Sequence, residues 1–143
     1  MVHFSKQVDY ALQLMIALAE LKSGNFLSLR KFSQESNISF LFLQKIARDL
    51  REKKLINSTR GARGGYRLKP RAEEISLKQI IEAVDGPSGV TECLKKGGCC
   101  PKIESCTARR VFGHINKHFL NSIANYYLSQ FTNYGKFSGK IKK

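Results

Sequence analysis

A mainly α-helical fold carrying one small β-hairpin is predicted by three features of the sequence. Apolar residues recur at helical spacing in five stretches; a glycine-rich, arginine-bearing tip divides two short extended runs; and the last helical stretch carries more apolar surface than a small domain can cover. The 143 residues suffice for one core plus an appended helix. Hydrophobic content of 42% beside 25% charged residues is that of a water-soluble globular chain. The longest apolar run, Ala11 to Leu21, is interrupted by Gln13 and Glu20 and cannot span a bilayer. The N-terminus lacks a basic region, apolar segment and small-residue cleavage site, so a cytoplasmic, unprocessed chain is expected.

The first helix is expected from about Ser5, a suitable N-cap, to Leu21, with Val8, Ala11, Leu12, Met15, Ile16 and Ala19 on one face. Asp9 falls in its early turns, where a carboxylate complements the helix N-terminus. After the Gly24-Asn25 break, Leu29 to Ser36 forms a short helix with Phe32 inward, ended by Asn37. Ser39 is placed to cap a third helix, Phe40 to about Lys53, which buries Leu43, Ile46, Ala47 and Leu50 and turns Gln44, Lys45, Arg48 and Arg51 elsewhere. Two short helices joined by a tight turn, the second polar and basic off its buried face, make a helix-turn-helix. Leu55 to Ser58 and Tyr66 to Leu68 then read as a hairpin around Arg60-Gly-Ala-Arg-Gly-Gly65, a wing whose glycines allow close backbone approach to a groove. Ser76 caps a fourth helix with Leu77, Ile80, Ile81 and Val84 inward, closing at Asp85-Gly86-Pro87.

The fifth helix is expected from Thr107 to about Phe131, with a stripe of Ala108, Val111, Phe112, Ile115, Phe119, Ile123, Tyr126 and Tyr127. An antiparallel second copy covers such a stripe most economically, which predicts a homodimer presenting two recognition helices to two half-sites. The organisation is therefore residues 1–86 as a winged helix-turn-helix domain, 87–106 as a cysteine loop, 107–131 as a dimerisation helix and 132–143 as a basic flexible tail.

Net charge of +14 predicts an anionic partner, nucleic acid before a membrane surface. Between Gln44 and Arg71 stand Lys45, Arg48, Arg51, Lys53, Lys54, Arg60, Arg63, Arg67, Lys69 and Arg71 against only Asp49 and Glu52, so the charge is concentrated on the recognition helix and wing. Candidate DNA contacts are Ser39, Gln44, Lys45, Arg48, Arg60, Arg63, Gly64 and Gly65.

All four cysteines lie in the loop CLKKGGCCPKIESC, residues 93–106. Thiolates gathered on a loop marked by Gly97-Gly98 and Pro101 point to a metal centre. No C-x2-C knuckle of a zinc site is present; C-x5-C from Cys93 to Cys99 and C-x6-C from Cys99 to Cys106 suit the wider body of an iron–sulfur cluster. A disulfide or unused surface cysteines are the plainer alternatives, the former disfavoured in a reducing cytosol. His114 and His118 stand i, i+4 and could share a metal, but no carboxylate or cysteine is placed to complete a site, so they read as helix-surface residues.

From Phe4 to about Tyr127 the chain resembles the IscR/NsrR-type winged-helix iron–sulfur transcriptional regulators. The resemblance rests on Asp9-Tyr-Ala, Ile38-Ser39 into Leu43, Arg60-Gly-x-x-Gly-Gly-Tyr66, Ile80-x-x-Ala-Val-Asp85 and the cysteine loop. It implies a homodimer crossed by the long helices, with Cys93, Cys99 and Cys106 as cluster thiolates. The family's second C-x5-C interval is one residue long here, and taking Cys100 as the middle ligand moves the extra residue to the first interval. The histidine that IscR-like members carry three residues after the last cysteine is replaced by Arg109, whereas Asp9 matches the aspartate that NsrR-like members supply from the partner chain. The resemblance thus favours a 4Fe-4S over a 2Fe-2S cluster, with nitric oxide, oxygen or iron–sulfur status as the signal. Two other classes compete: a cluster-free thiol or zinc sensor on the same scaffold, and a small electron-transfer protein, which would have no use for a wing. No nucleophile–base pair or phosphate loop suggests an enzyme.

Overall fold

In a computed structural model of the chain, residues 4–95 and 100–132 are described. They contain five α-helices and one antiparallel hairpin: α1 Lys6–Ala19, α2 Leu29–Ser36, α3 Phe40–Glu52, β1 Ile56–Thr59, β2 Gly65–Leu68, α4 Leu77–Asp85 and α5 Thr107–Asn125. Short 3-10 turns occupy Ala72–Glu74, Glu92–Leu94 and Leu128–Phe131.

Local sequence sets most boundaries. Ser5 accepts a hydrogen bond from the Val8 amide at 3.3 Å to start α1, and Ser28 does the same from Lys31 for α2. Asn37 ends α2 in the left-handed conformation, φ 56°, which asparagine tolerates better than most residues. Ser76 and Gln79 form a reciprocal capping box at α4. Ser39 departs from expectation: it holds the N-cap position of α3 but makes no side-chain capping bond.

The core joins Val8, Leu14 and Met15 of α1, Leu43, Ile46 and Leu50 of α3, Ile56 of the hairpin and Ile80 of α4, all fully buried. Helix α4 packs against α1, α3 and α5. Each helix turns one apolar stripe inward, and the transfer of such side chains from water contributes about 1.5–3 kcal/mol apiece. The hairpin pairs Ile56 with Leu68 through to Thr59 with Gly65. It gains a third edge that the sequence reading missed: Leu27 and Tyr66 exchange backbone hydrogen bonds of 2.8 and 2.9 Å, tying the wing to the segment ahead of α2.

The last helix is shorter than its apolar pattern suggests. It ends at Asn125 rather than Phe131, because Tyr126 and Tyr127 become extended. The Tyr126 carbonyl accepts from the Leu77 amide at 2.8 Å, and the Leu128 amide donates to the Ile75 carbonyl at 2.8 Å. This bridge beside Ser76 drives Leu128 fully into the core. The apolar stripe is divided accordingly. Ile123 is only 7% exposed and buried in its own domain, and Phe119 packs on that core with its ring stacked 6.3 Å from Phe4. Of the expected tail, residues 133–143 lie outside the described residues.

Candidate nucleic-acid interface and cysteine loop

Helix α3 buries Leu43, Ile46, Ala47 and Leu50, which leaves Leu41, Gln44, Lys45 and Arg48 as a continuous outward ridge at i, i+3, i+4 and i+7. Gln44 and Arg48 are exposed and make no hydrogen bond or ion pair with the described residues. Lys45 is different. Its Nζ donates to Gln7 Oε1 and, at 3.3 Å, to Asp49 Oδ2, which draws it toward α1 and away from the helix tip. Leu41 is 77% exposed at the first turn, an exposed apolar side chain that the helical pattern of buried Leu43, Ile46, Ala47 and Leu50 does not account for. The missing cap at Ser39 leaves its hydroxyl and the first-turn amides of α3 open, and helix N-termini of this kind bind phosphate oxygens.

The wing projects beside this ridge, and Arg51 Nη1 donates to Ser58 Oγ at 3.3 Å across the junction. Arg60 and Arg63 are exposed at the tip and have no partner among the described residues. The paired glycines have a steric reason. A Cβ on Gly64 would overlap the Thr59 carbonyl oxygen, and one on Gly65, at φ 146°, would overlap the Leu27 carbonyl oxygen. Glycine at these positions lets the hairpin close against the Leu27 edge and aim Arg60 and Arg63 outward. On its flank, Arg67 lies over the Phe26 ring at 5.1 Å, while Arg30 covers Phe40 at 4.8 Å, so these two guanidiniums are held by aromatic faces. The arrangement offers a helix for a major groove, two free arginines for an adjacent groove, and cations for phosphates.

The cysteine loop is organised differently. Cys93, Cys100 and Cys106 are free thiols of intermediate burial, and Cys99 lies outside the described residues. Thr91 Oγ1 and Cys93 Sγ are hydrogen-bonded at 3.2 Å. Cys106 occupies the N-cap position of α5, where the helix's partial positive charge complements an anionic sulfur. Asn116 Oδ1 accepts from the Val90 amide at 2.9 Å and ties the loop's start to the middle of α5. Arg109 follows one turn after Cys106, with its Nε buried and unpartnered. Asp9 is exposed on α1, where its carboxylate accepts from Gln13 Nε2 at 3.0 Å, and it makes no described contact with the cysteine loop of its own chain. Among the described residues no three His, Cys, Asp or Glu side chains converge on a point that could hold a metal ion. The donor set, several soft thiolates on one loop with an accessible carboxylate, nonetheless fits an iron–sulfur cluster chemically.

Beyond the loop, α5 presents Val111 at 57%, Phe112 at 42% and Ile115 at 48% exposure. They are the large apolar side chains that α5 itself leaves uncovered; of the rest of the predicted stripe, Ala108 is also exposed, and so are Tyr126 at 47% and Tyr127 at 39% beyond the helix end. No described helix is long and apolar enough to cross a membrane.

Comparison with known proteins agrees with this geometry. Protein rrf2 of Nitratidesulfovibrio vulgaris (strain Hildenborough) is 29% identical over 120 residues, covering 84% of this chain and 80% of that one. The HTH-type transcriptional regulator IscR of Escherichia coli is 34% identical over 90 residues, covering 63% and 56%. Among solved structures, CymR (YrzC), the global cysteine regulator of Bacillus subtilis, superposes with a TM-score of 0.79 at 27% identity, covering 94% of this chain and 98% of that one. IscR of T. potens superposes at 0.74 with 20% identity, covering 99% and 94%, a likeness of fold. Residues 4–134 match the Rrf2 family, described as iron-dependent transcriptional regulators, and the chain belongs to that family: it is a DNA-binding transcriptional regulator and not an enzyme.

Proposed function

We propose that the chain works in the cytoplasm as a homodimer whose operator affinity is set by an iron–sulfur cluster on the cysteine loop. One observation carries this reading: Cys106 is the residue on which α5 begins, and the uncovered face of Val111, Phe112 and Ile115 follows within three turns. A change in what Cys106 binds therefore acts directly on the helix that carries the proposed dimer face. That helix packs on α4, which packs on α3, so the orientation of two recognition helices is coupled to the loop through contiguous contacts.

Cys93, Cys106 and either Cys99 or Cys100 would hold the cluster, with Asp9 of a second chain as the fourth, oxygen ligand. The exposure of Asp9 supports that assignment, since a carboxylate on the outer surface of α1 is open to another chain. Such a cluster supplies a centre that responds to nitric oxide, oxygen or iron supply, and a 4Fe-4S form leaves Asp9 as its most readily displaced ligand because a hard carboxylate suits cluster iron least. At the DNA, Gln44 reads adenine, Leu41 meets a thymine methyl, Arg48 and the Ser39 end of α3 hold phosphates, and Arg60 and Arg63 enter the neighbouring groove.

Anaerobic purification with iron and sulfide analysis, followed by binding to DNA selected from a randomised library before and after nitric oxide, tests this function. Cluster absorption that disappears with nitric oxide, together with changed DNA binding, is expected; stoichiometric zinc or no metal would overturn it. Cys93→Ala and Cys106→Ala should each abolish iron retention, one of Cys99→Ala and Cys100→Ala should be tolerated, and Asp9→Ala should retain a cluster with altered nitric oxide response. A thiol sensor on the same scaffold is the second reading. It is favoured by the three half-buried free thiols and by the similarity to Staphylococcus aureus CymR, of which an oxidized form has been solved. In that case the anaerobic protein is colourless, and mild oxidation alone alters DNA binding.

A further inference from the structure

His114 and His118 are exposed, one turn apart on α5, and their Nε2 atoms lie 3.2 Å from each other. Their rings meet edge to face, with centroids 4.7 Å apart and planes at 65°. Two nitrogens that face one another at this distance cannot both carry a hydrogen, so at least one Nε2 lone pair points into the gap. The separation is also the bite of a chelate. Two imidazoles bound to one cation at about 2.0–2.1 Å each set their nitrogens roughly 2.9–3.4 Å apart for bond angles between octahedral and tetrahedral values.

We propose that His114 and His118 form a divalent transition-metal site separate from the cysteine loop, with water completing the coordination shell. The chemistry of the surroundings selects the cation. Among the described residues no third His, Cys, Asp or Glu joins the pair, so no carboxylate is offered to Mg2+ or Ca2+, which favour carboxylate oxygens. Arg110 and Lys117, one turn before and after His114 on the same side of α5, further disfavour a hard cation held by charge alone. Neutral imidazoles suit Zn2+, Ni2+ and Cu2+. A cation spanning residues 114 and 118 cross-links one turn of α5 beside Val111 and Ile115, so its binding stiffens the stretch that carries the exposed apolar face. This site does not depend on the cluster reading, because it shares no ligand with the cysteine loop.

The test uses Ni2+ in equilibrium dialysis with the full-length chain at neutral pH, its thiols blocked with N-ethylmaleimide and its helix content checked by circular dichroism. One Ni2+ per chain is expected. His114→Gln and His118→Gln should each weaken binding roughly tenfold or more, since each removes one arm of the chelate, and His3→Gln should leave it unchanged. Ni2+ should raise the melting temperature of the parent but not of the double variant. Both histidines are exposed, so the variants should fold. Unchanged Ni2+ affinity in either histidine variant, or loss of binding on His3→Gln, would overturn the site and leave the contact as an ordinary hydrogen bond.

Discussion

The DNA-binding head, α2 through the wing, and the proposed sensor half, the cysteine loop with the first part of α5, are built to opposite rules. In the head, Leu43, Ile46, Leu50 and Ile56 are fully buried, and the hairpin is locked from its far side by Leu27. Ser39, Gln44, Arg48, Arg60 and Arg63 are exposed. In the sensor half the thiols are partly exposed, the loop is tied to α5 through Asn116, and three large apolar side chains face water. A single chain thus buries the apolar side of its head and leaves large apolar side chains of the proposed sensor half exposed. Burial in the sensor half has to come from something added, which in the proposed function is a second chain and a cluster.

Breaking the exposed apolar face should have the largest effect. In the proposed dimer, Val111→Asp with Ile115→Asp removes two buried side chains per chain, four per dimer, at about 1.5 kcal/mol or more each. That amounts to roughly four orders of magnitude in the dimer dissociation constant. Light scattering should find a folded monomer, and a dimer in this variant would mean that the exposed face is not the interface. The choice of Val111 over Phe119 matters, because Phe119 belongs partly to the domain core and its loss would confuse dissociation with unfolding.

Next in size is a test that the segment after α5 closes the domain core. Leu128→Ala empties a fully buried site and should cost about 2–5 kcal/mol by chemical denaturation. A cost near zero would mean that residues 126–131 do not close the core. Gly64→Ala then probes the wing without touching a charge. Its Cβ collides with the Thr59 carbonyl, so the hairpin must shift and DNA affinity should fall about tenfold while α-helix content is kept. Arg60→Ala should lose about 1–3 kcal/mol and some discrimination among sequences; a gel shift showing neither removes the wing from the interface. The smallest effect belongs to Leu41→Ala. Losing contact with a thymine methyl should cost roughly 1 kcal/mol, confined to operators that carry thymine at one position.

Sequence alone locates α2 and α4 and the buried faces of α3 and α4, because each carries one apolar stripe at helical spacing and α2 and α4 begin at a capping serine. The wing is equally legible, since a glycine- and arginine-rich tip between two short extended runs marks a hairpin, and the net charge of +14 points to nucleic acid. The clustering of all four cysteines in one loop is likewise plain in the sequence, while Cys99 and Cys100 stay equals for the middle position of the proposed cluster. Only the tertiary structure decided how the apolar stripe of α5 is shared. Ile123 and Val111 are indistinguishable as letters in a periodic pattern, yet one is buried in the domain core and the other faces water, as the chain bends at Tyr126 to pair with Ile75 and Leu77. The same holds for Lys45, whose charge is drawn to Gln7, thirty-eight residues away. It holds also for His114 and His118, whose nearness follows from helix spacing but whose facing lone-pair geometry depends on side-chain rotamers. Non-local pairing and rotamer choice are settled by what the rest of the molecule leaves unoccupied, and no window of sequence contains that information.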